Sequence, residues 1–282
     1  MISKASKITV VGLGLLGGSY AKGLYNAGYK VTGIDIDESA IEYGKKMHWI
    51  VDGGSDPALC QDSDIIISAL YPATFISWVR ENQHYFKPGS ILTDVTGIKR
   101  QVIEEINSFL REDVEYIACH PMAGREYKGI LRADCSQFEN ANIIIVPTEK
   151  NSERAIGVAR DLAKALKFKN VSVLSPQEHD NIIGFVSQLC HVIAISLMNI
   201  SDNPRLVDYT GDSFRDLTRI ANINEDLWPQ LFIYNKDNLL EHVDELIAQM
   251  QVLRGYIEEE NIPEMKKLMV QATERRKRFG KR

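Results

Sequence analysis

Between residues 7 and 174 the chain alternates short runs of β-branched and aliphatic residues with longer stretches of helical periodicity. An apolar run of four to eight residues bounded by turn formers reads as a strand buried on both faces. A helical stretch between two such runs reads as the crossover joining neighbouring parallel strands. The pattern predicts strands at 7–12, 30–35, 64–69, 91–94, 115–119, 142–147 and 170–174, with helices between most of them. That arrangement is an α/β fold with a doubly wound parallel sheet. After Ser175-Pro176 the strand signals stop, and 177–203, 213–222, 224–259 and 263–278 all carry helical periodicity. The expected domains are therefore 1–174, holding the sheet, and 175–282, all-helical.

Residues 182–200 contain no Asp, Glu, Lys or Arg and are about long enough to cross a bilayer. Gly184, Ser187, Gln188, His191, Ser196 and Asn199 interrupt the run, and Asp180 and Asp202 flank it where a span would carry Lys or Arg. A helix buried in a protein core fits better. It is apolar around most of its circumference, more than one small domain can cover, so the helical domain is expected to form a homodimer. Lys+Arg 33 against Asp+Glu 38 leaves a net charge of −5, so no global positive field draws the chain to nucleic acid or an anionic membrane. The basic run 274–282 reads as a solvated helix end. The four cysteines form no C-x-x-C pair, which signals neither a metal site nor a redox dithiol and suits a reducing cytoplasm. The N-terminus does not read as a signal peptide, because the apolar stretch after it is broken by glycines.

The first strand runs directly into Gly12-Leu13-Gly14-Leu15-Leu16-Gly17, a G-x-G-x-x-G turn that opens a helix. Gly12 makes the turn, Gly14 lets backbone approach a pyrophosphate, and Gly17 lets helix and strand pack closely. Phosphate then meets the free N–H groups of the helix N-terminus, beside Leu15 and Leu16. The second strand ends at Asp35, where a carboxylate can accept hydrogen bonds from both ribose hydroxyls. Together these features make the first domain a Rossmann domain. Asp35 also repels a 2′-phosphate, and Ile36 and Asp37 offer no arginine to bind one, so NAD is favoured over NADP.

His120 follows the strand at 115–119 and so sits at the carboxyl end of the sheet, where ligands bind in such folds. On the helix from 177, Asp180, Gly184, Ser187 and His191 fall within a narrow arc, with Gln188 beside them, as a polar stripe on an apolar helix. Ser213 to Arg219 opens a further helix with an S-x-x-D cap. On it Arg215 and Arg219, four apart, share a face and suit a dicarboxylate.

These segments carry a resemblance. G-L-G-L-L-G-G-S, D-V-T-G-I-K at 94–99, H-P-M-A-G at 120–124, H-D at 179–180, S-Q-L-C-H at 187–191 and F-R-D-L-T-R-I-A at 214–221 resemble the prephenate dehydrogenase family over nearly the whole chain. The resemblance implies a Rossmann domain joined to a helical dimerisation domain, and oxidative decarboxylation of prephenate, or in some members arogenate, with NAD(P)+. It implies that His120 is the catalytic histidine, Arg219 the substrate-carboxylate arginine and His191 an active-site helix histidine, with Arg215 near the substrate side chain. Where the family often carries a serine, this chain has Gly97, and Thr96 is the expected substitute. A regulatory ACT domain, and tyrosine feedback through one, is not expected.

Two rivals remain. A β-hydroxyacid dehydrogenase or pyrroline-carboxylate reductase would share the architecture, but the first needs a catalytic lysine, and none lies between Lys169 and Lys236. A non-catalytic NAD sensor would leave His120, His191 and the arginines without a purpose.

Overall fold

The computed structural model describes residues 2–124 and 127–279. Its described residues include eight strands: β1 (Ile8–Val11), β2 (Val31–Ile34), β3 (Asp52–Gly54), β4 (Ile65–Ser68), β5 (Ile91–Asp94), β6 (Glu115–Pro121), β7 (Asn142–Val146) and β8 (Asn170–Val173). They form one sheet in the order β3-β2-β1-β4-β5-β6-β7-β8. Alternate side chains feed opposite faces, so Ile65 and Ile67 enter one apolar core while Ile66 enters the other. The helices α1 (Leu15–Asn26), α2 (Glu38–Lys46), α3 (Pro72–Asn82), α4 (Arg100–Phe109) and α5 (Glu153–Ala165) cover the two faces.

Two features depart from the expected all-parallel sheet. β7 runs antiparallel to β6, with Ile144 opposite His120, and β8 is parallel to β7. Among the described residues, the connection from β6 to β7 holds the short 3₁₀ turns Ile130–Arg132 and Cys135–Phe138 and no crossover helix that would force a parallel return. Apolar periodicity marks a strand but carries no direction. The strand β3 has no apolar run at all. It pairs with β2 because two glycines meet: a Cβ on Gly53 would lie 2.7 Å from the Gly33 carbonyl oxygen.

The long apolar helix begins at α6 (Pro176–Ile183), whose N-terminus is closed by a capping box of Ser175 and Glu178. A π-helical turn, Gly184–Gln188, joins it to α7 (Leu189–Met198), several residues short of the expected end. The helix is long and apolar enough to cross a membrane, with a mean hydropathy of 1.7. Burial in a core holds on one side only: 28% of its most apolar window is buried within the chain. Ile183, Leu189 and Ala194 face inward, whereas Ile182, Phe185 and Val186 are exposed. After α8 (Asp212–Thr218) and a 3₁₀ turn, Arg219–Ala221, comes α9 (Trp228–Tyr234).

The chain divides into two compact units, one ending at Asn235 and one starting at Lys236. The sheet ends near the expected boundary at 174, but the first unit continues because α6 packs on α4 and β7, and α9 on α3. The expected helix 224–259 is broken at Asn235. There the buried side-chain amide donates to the Asp180 carbonyl and to the Gln188 side-chain oxygen, both at 2.8 Å. The second unit contains α10 (Lys236–Glu258) and α11 (Ile262–Lys277).

Candidate active site

The glycine turn has the geometry its three positions require. Gly12 has φ +86°, a left-handed conformation that costs glycine little. A Cβ on Gly17 would lie 1.7 Å from the Gly12 carbonyl oxygen, which is the close approach of helix and strand. Gly14 caps α1 without a side chain, and a Cβ there would meet nothing within 4 Å. Open space therefore lies at the helix N-terminus where a pyrophosphate fits. Asp35, just past β2, accepts from the Leu13 backbone N–H with one oxygen and from Asp37 N–H at 2.8 Å with the other. A carboxylate has about four acceptor sites, so capacity remains for ribose hydroxyls. The residues present fit a dinucleotide.

At the end of β6, His120 Nδ1 lies 2.9 Å from His179 Nε2, and His179 Nδ1 lies 2.7 Å from Asp180 Oδ1. Asp180 also accepts the backbone N–H groups of Lys99 at 2.8 Å and Arg100 at 2.9 Å, at the start of α4. His179 and Asp180 are fully buried. A carboxylate only accepts, so the chain of bonds has one direction. His179 Nδ1–H donates to Asp180, His120 Nδ1–H donates to His179 Nε2, and the lone pair of His120 stays on Nε2. Burial first, then His179, then Lys99 push His120 well below the usual imidazole range. Burial likewise lowers His179, against the opposing bond to Asp180. His120 is thus a neutral base at pH 7.

Beneath this relay lies a buried ion pair, Lys99 Nζ to Asp94 Oδ2 at 2.6 Å, with both side chains at 0% exposure. Tyr116 Oη–H donates to Asp94 Oδ1 at 2.9 Å, and the Cys119 N–H at 3.2 Å. The Thr96 hydroxyl is bound up here: it bonds to Asp94 and the Ile98 carbonyl, and Lys99 donates to it at 3.1 Å. The Thr96 hydroxyl is thus engaged with these groups, while the residue itself lines the cavity. Position 97 is the one beside the base. A Cβ on Gly97 would sit 3.7 Å from His120 Nε2 and 3.5 Å from Leu231, ordinary contacts that leave room for a small side chain.

These groups border a cavity of about 730 Å³. Gly14, Leu15 and Leu16 line its cofactor end, and His120, Gly97, Ser187, Gln188, His191 and Arg219 line the remainder. His191 Nδ1 donates to the Ser187 carbonyl at 2.9 Å, and its ring lies on Trp228 with centroids 3.6 Å apart. The π turn helps here: its wider spiral turns both Ser187 and Gln188 inward, one residue apart. Gly12, Gly17 and Asp35 shape the site from behind and do not line it.

The two arginines stand differently toward the cavity. The helix α8 is capped by Gly211 rather than by the expected serine, and it ends at Thr218. Both arginines are exposed; Arg219 falls in the following 3₁₀ turn and lines the cavity, whereas Arg215, on α8, does not. Sequence reasoning places Asp180 on the polar stripe but gives no individual role to it or to Lys99, His179 and Trp228. An adjacent His-Asp pair and a lysine following a buried strand were available signals for the first three, and nothing local marked Trp228.

The comparisons with known proteins agree with this geometry. The family model described as "Prephenate dehydrogenase, nucleotide-binding domain" matches residues 20–172, and "Prephenate dehydrogenase, dimerization domain" matches 175–271. The chain is 30% identical to the prephenate dehydrogenase of Lactococcus lactis, over 90% of this chain and 75% of that one. It is 29% identical to that of Bacillus subtilis, over 90% and 71%. The fold matches a crystal structure of prephenate dehydrogenase from A. aeolicus, in complex with hydroxyphenyl propionate and NAD+, with TM-score 0.90 and 24% identity over 99% of both chains. It also matches Synechocystis arogenate dehydrogenase with TM-score 0.83 and 25% identity over 97% of this chain and 99% of that one. With the two family models matching residues 20–172 and 175–271, the chain belongs to the prephenate dehydrogenase family.

Proposed function

We propose that the chain is an NAD-dependent prephenate dehydrogenase, converting prephenate and NAD+ to 4-hydroxyphenylpyruvate, CO₂ and NADH. The observation that carries the reading is His120 Nε2, held as a free lone pair in a cavity that has the dinucleotide turn at one end and Arg219 in its wall. A nicotinamide bound from that turn supplies the hydride acceptor for the ring carbon bearing the hydroxyl. His120 takes the hydroxyl proton as that C–O bond becomes a carbonyl. Loss of the ring carboxylate as CO₂ aromatises the ring, and His120 returns the proton to the ring oxygen, so the protein is unchanged. Asp180, acting through His179, fixes the tautomer and draws off part of the charge His120 acquires. Arg219 holds carboxylate, with His191 beside it in the wall, and cavity walls such as Leu231 and Trp228 limit water at the base.

The test is NADH absorbance with prephenate in the wild type and in Arg219→Ala. Removing one partner of a partly desolvated carboxylate pair costs about 2–5 kcal/mol, expected mainly in the KM for prephenate. Affinity for NAD should barely change. Unchanged substrate kinetics would return Arg219 to a surface role, and absence of NADH formation by the wild type would overturn the function.

Asp35 supports NAD as the cofactor, because a 2′-phosphate would face its carboxylate at the end of β2. We expect kcat/KM with NAD+ to exceed that with NADP+ by at least about tenfold, since opposed like charges cost several kcal/mol. Equal turnover with NADP+ would remove this role from Asp35.

We further infer a homodimer formed through residues 175–282. The match to a dimerization domain and the exposed Ile182, Phe185 and Val186 support it. Sedimentation at micromolar concentration should give twice the mass of 31.8 kDa; a monomer would leave that apolar face without a partner. The four cysteines are free, which suits the reducing cytoplasm inferred for the enzyme.

A further inference from the structure

The cavity carries a charged pair that the mechanism above does not use. Lys128, in the loop after β6, and Glu225, in the loop before α9, both line it, with the ammonium 3.7 Å from the carboxylate. Their side chains are 58% and 77% exposed, which puts the pair at the solvent end. Among the described residues, Lys128 and Arg219 are the only Lys or Arg side chains lining the cavity.

On the dehydrogenase reading, prephenate and arogenate share the ring, the hydroxyl and both carboxylates. They differ at one side-chain atom, an oxo group in the first and an ammonium in the second. The ring carboxylate and the side chain both hang from the ring carbon opposite the hydroxyl, so with the hydroxyl at His120 the side chain points away from the base. A keto-acid terminus meeting this pair gains Lys128 but faces Glu225. A 2-amino acid terminus carries its own cation beside its carboxylate and satisfies both residues at once.

We propose that Lys128 and Glu225 form the subsite for the side-chain end of the substrate, and that Glu225 shifts the choice toward the 2-amino acid over the 2-oxo acid. The assignment rests on the dehydrogenase reading. It differs from the role of Arg219, because an isolated carboxylate has no use for an adjacent anion, whereas a zwitterion does.

The test is kcat/KM for prephenate and for arogenate, followed by NADH absorbance, in the wild type, Glu225→Gln and Lys128→Met. Both residues are exposed, so the variants should fold. Glu225→Gln should lower the arogenate-to-prephenate ratio about fivefold or more through KM, and Lys128→Met should raise KM for both substrates by a similar factor. A ratio in Glu225→Gln within about twofold of wild type, or a wild type that uses no arogenate, overturns the assignment and leaves the dehydrogenase reading standing. A wild type that oxidises neither substrate overturns both.

Discussion

Replacing His120 by Asn should lower kcat by roughly 10² to 10⁴, the usual worth of a positioned general base, while NAD affinity and folding survive. Asparagine retains a hydrogen-bonding group near His179 but cannot take a proton from the substrate hydroxyl. The pH profile separates a base from a merely structural residue. A free imidazole titrates near 6.5, and burial with two cationic or potentially cationic neighbours, His179 and Lys99, holds His120 well below that. Only the neutral form is active, so wild-type kcat should be flat through neutral pH and fall on the acid side, as pH drops through the lowered ionisation. The variant should lose that limb. The same groups weaken the fold in acid: the unfolded chain binds protons below about 6.5 that His120 and His179 in the folded state refuse, so stability falls as pH drops from there toward their lowered ionisations. A wild-type kcat that titrates above 7, or a variant with unchanged kcat, would move the role of base to His191.

The features legible in the sequence are those written in local spacing. The glycine turn, Asp35 at the end of β2 and His120 at the end of β6 each follow from a strand and the few residues after it. The relay was half visible. Its members were in the quoted motifs, but the bond between His120 and His179 spans 59 positions, and no periodicity joins a strand end to a helix start at that range. The antiparallel β7 was hidden for a related reason: a doubly buried strand reads the same in either direction, and only the missing crossover helix distinguishes them.

The arginine pair shows a limit of local spacing. A spacing of four keeps Arg215 and Arg219 on one helical run, since the backbone stays helical through Thr218 and Arg219. Spacing cannot say which of them reaches the cavity, and of the two it is Arg219 that lines it. The apolar run 182–200 reads as a helix that needs cover, but its composition cannot say whether cover comes from the same chain. Its inner face meets α4, β7 and the cavity, and its outer face, with Phe185, is left exposed within the chain.

The glycines of the turn separate folding from cofactor binding, because their surroundings differ so sharply. Gly17→Ala puts a methyl group 1.7 Å from the Gly12 carbonyl oxygen and 3.1 Å from the Ala69 Cβ. The first atom is backbone at the base of the turn, so no side chain can rotate away and α1 must lift off β1. Overpacking of this kind costs about 1–3 kcal/mol, more where backbone must shift. A melting temperature several degrees lower is expected together with loss of NAD binding, since the amides at the α1 N-terminus move with the helix. Gly14→Ala adds its methyl where nothing lies within 4 Å, so the fold should keep its wild-type melting temperature. That same space is where the pyrophosphate approaches, and NAD affinity should fall by about tenfold or more, with prephenate binding retained. Calorimetry and NAD titration on both variants check the contrast. A Gly14→Ala protein that binds NAD normally would show that the pyrophosphate lies elsewhere, and the assignment of the cavity's cofactor end to Gly14, Leu15 and Leu16 would fall with it.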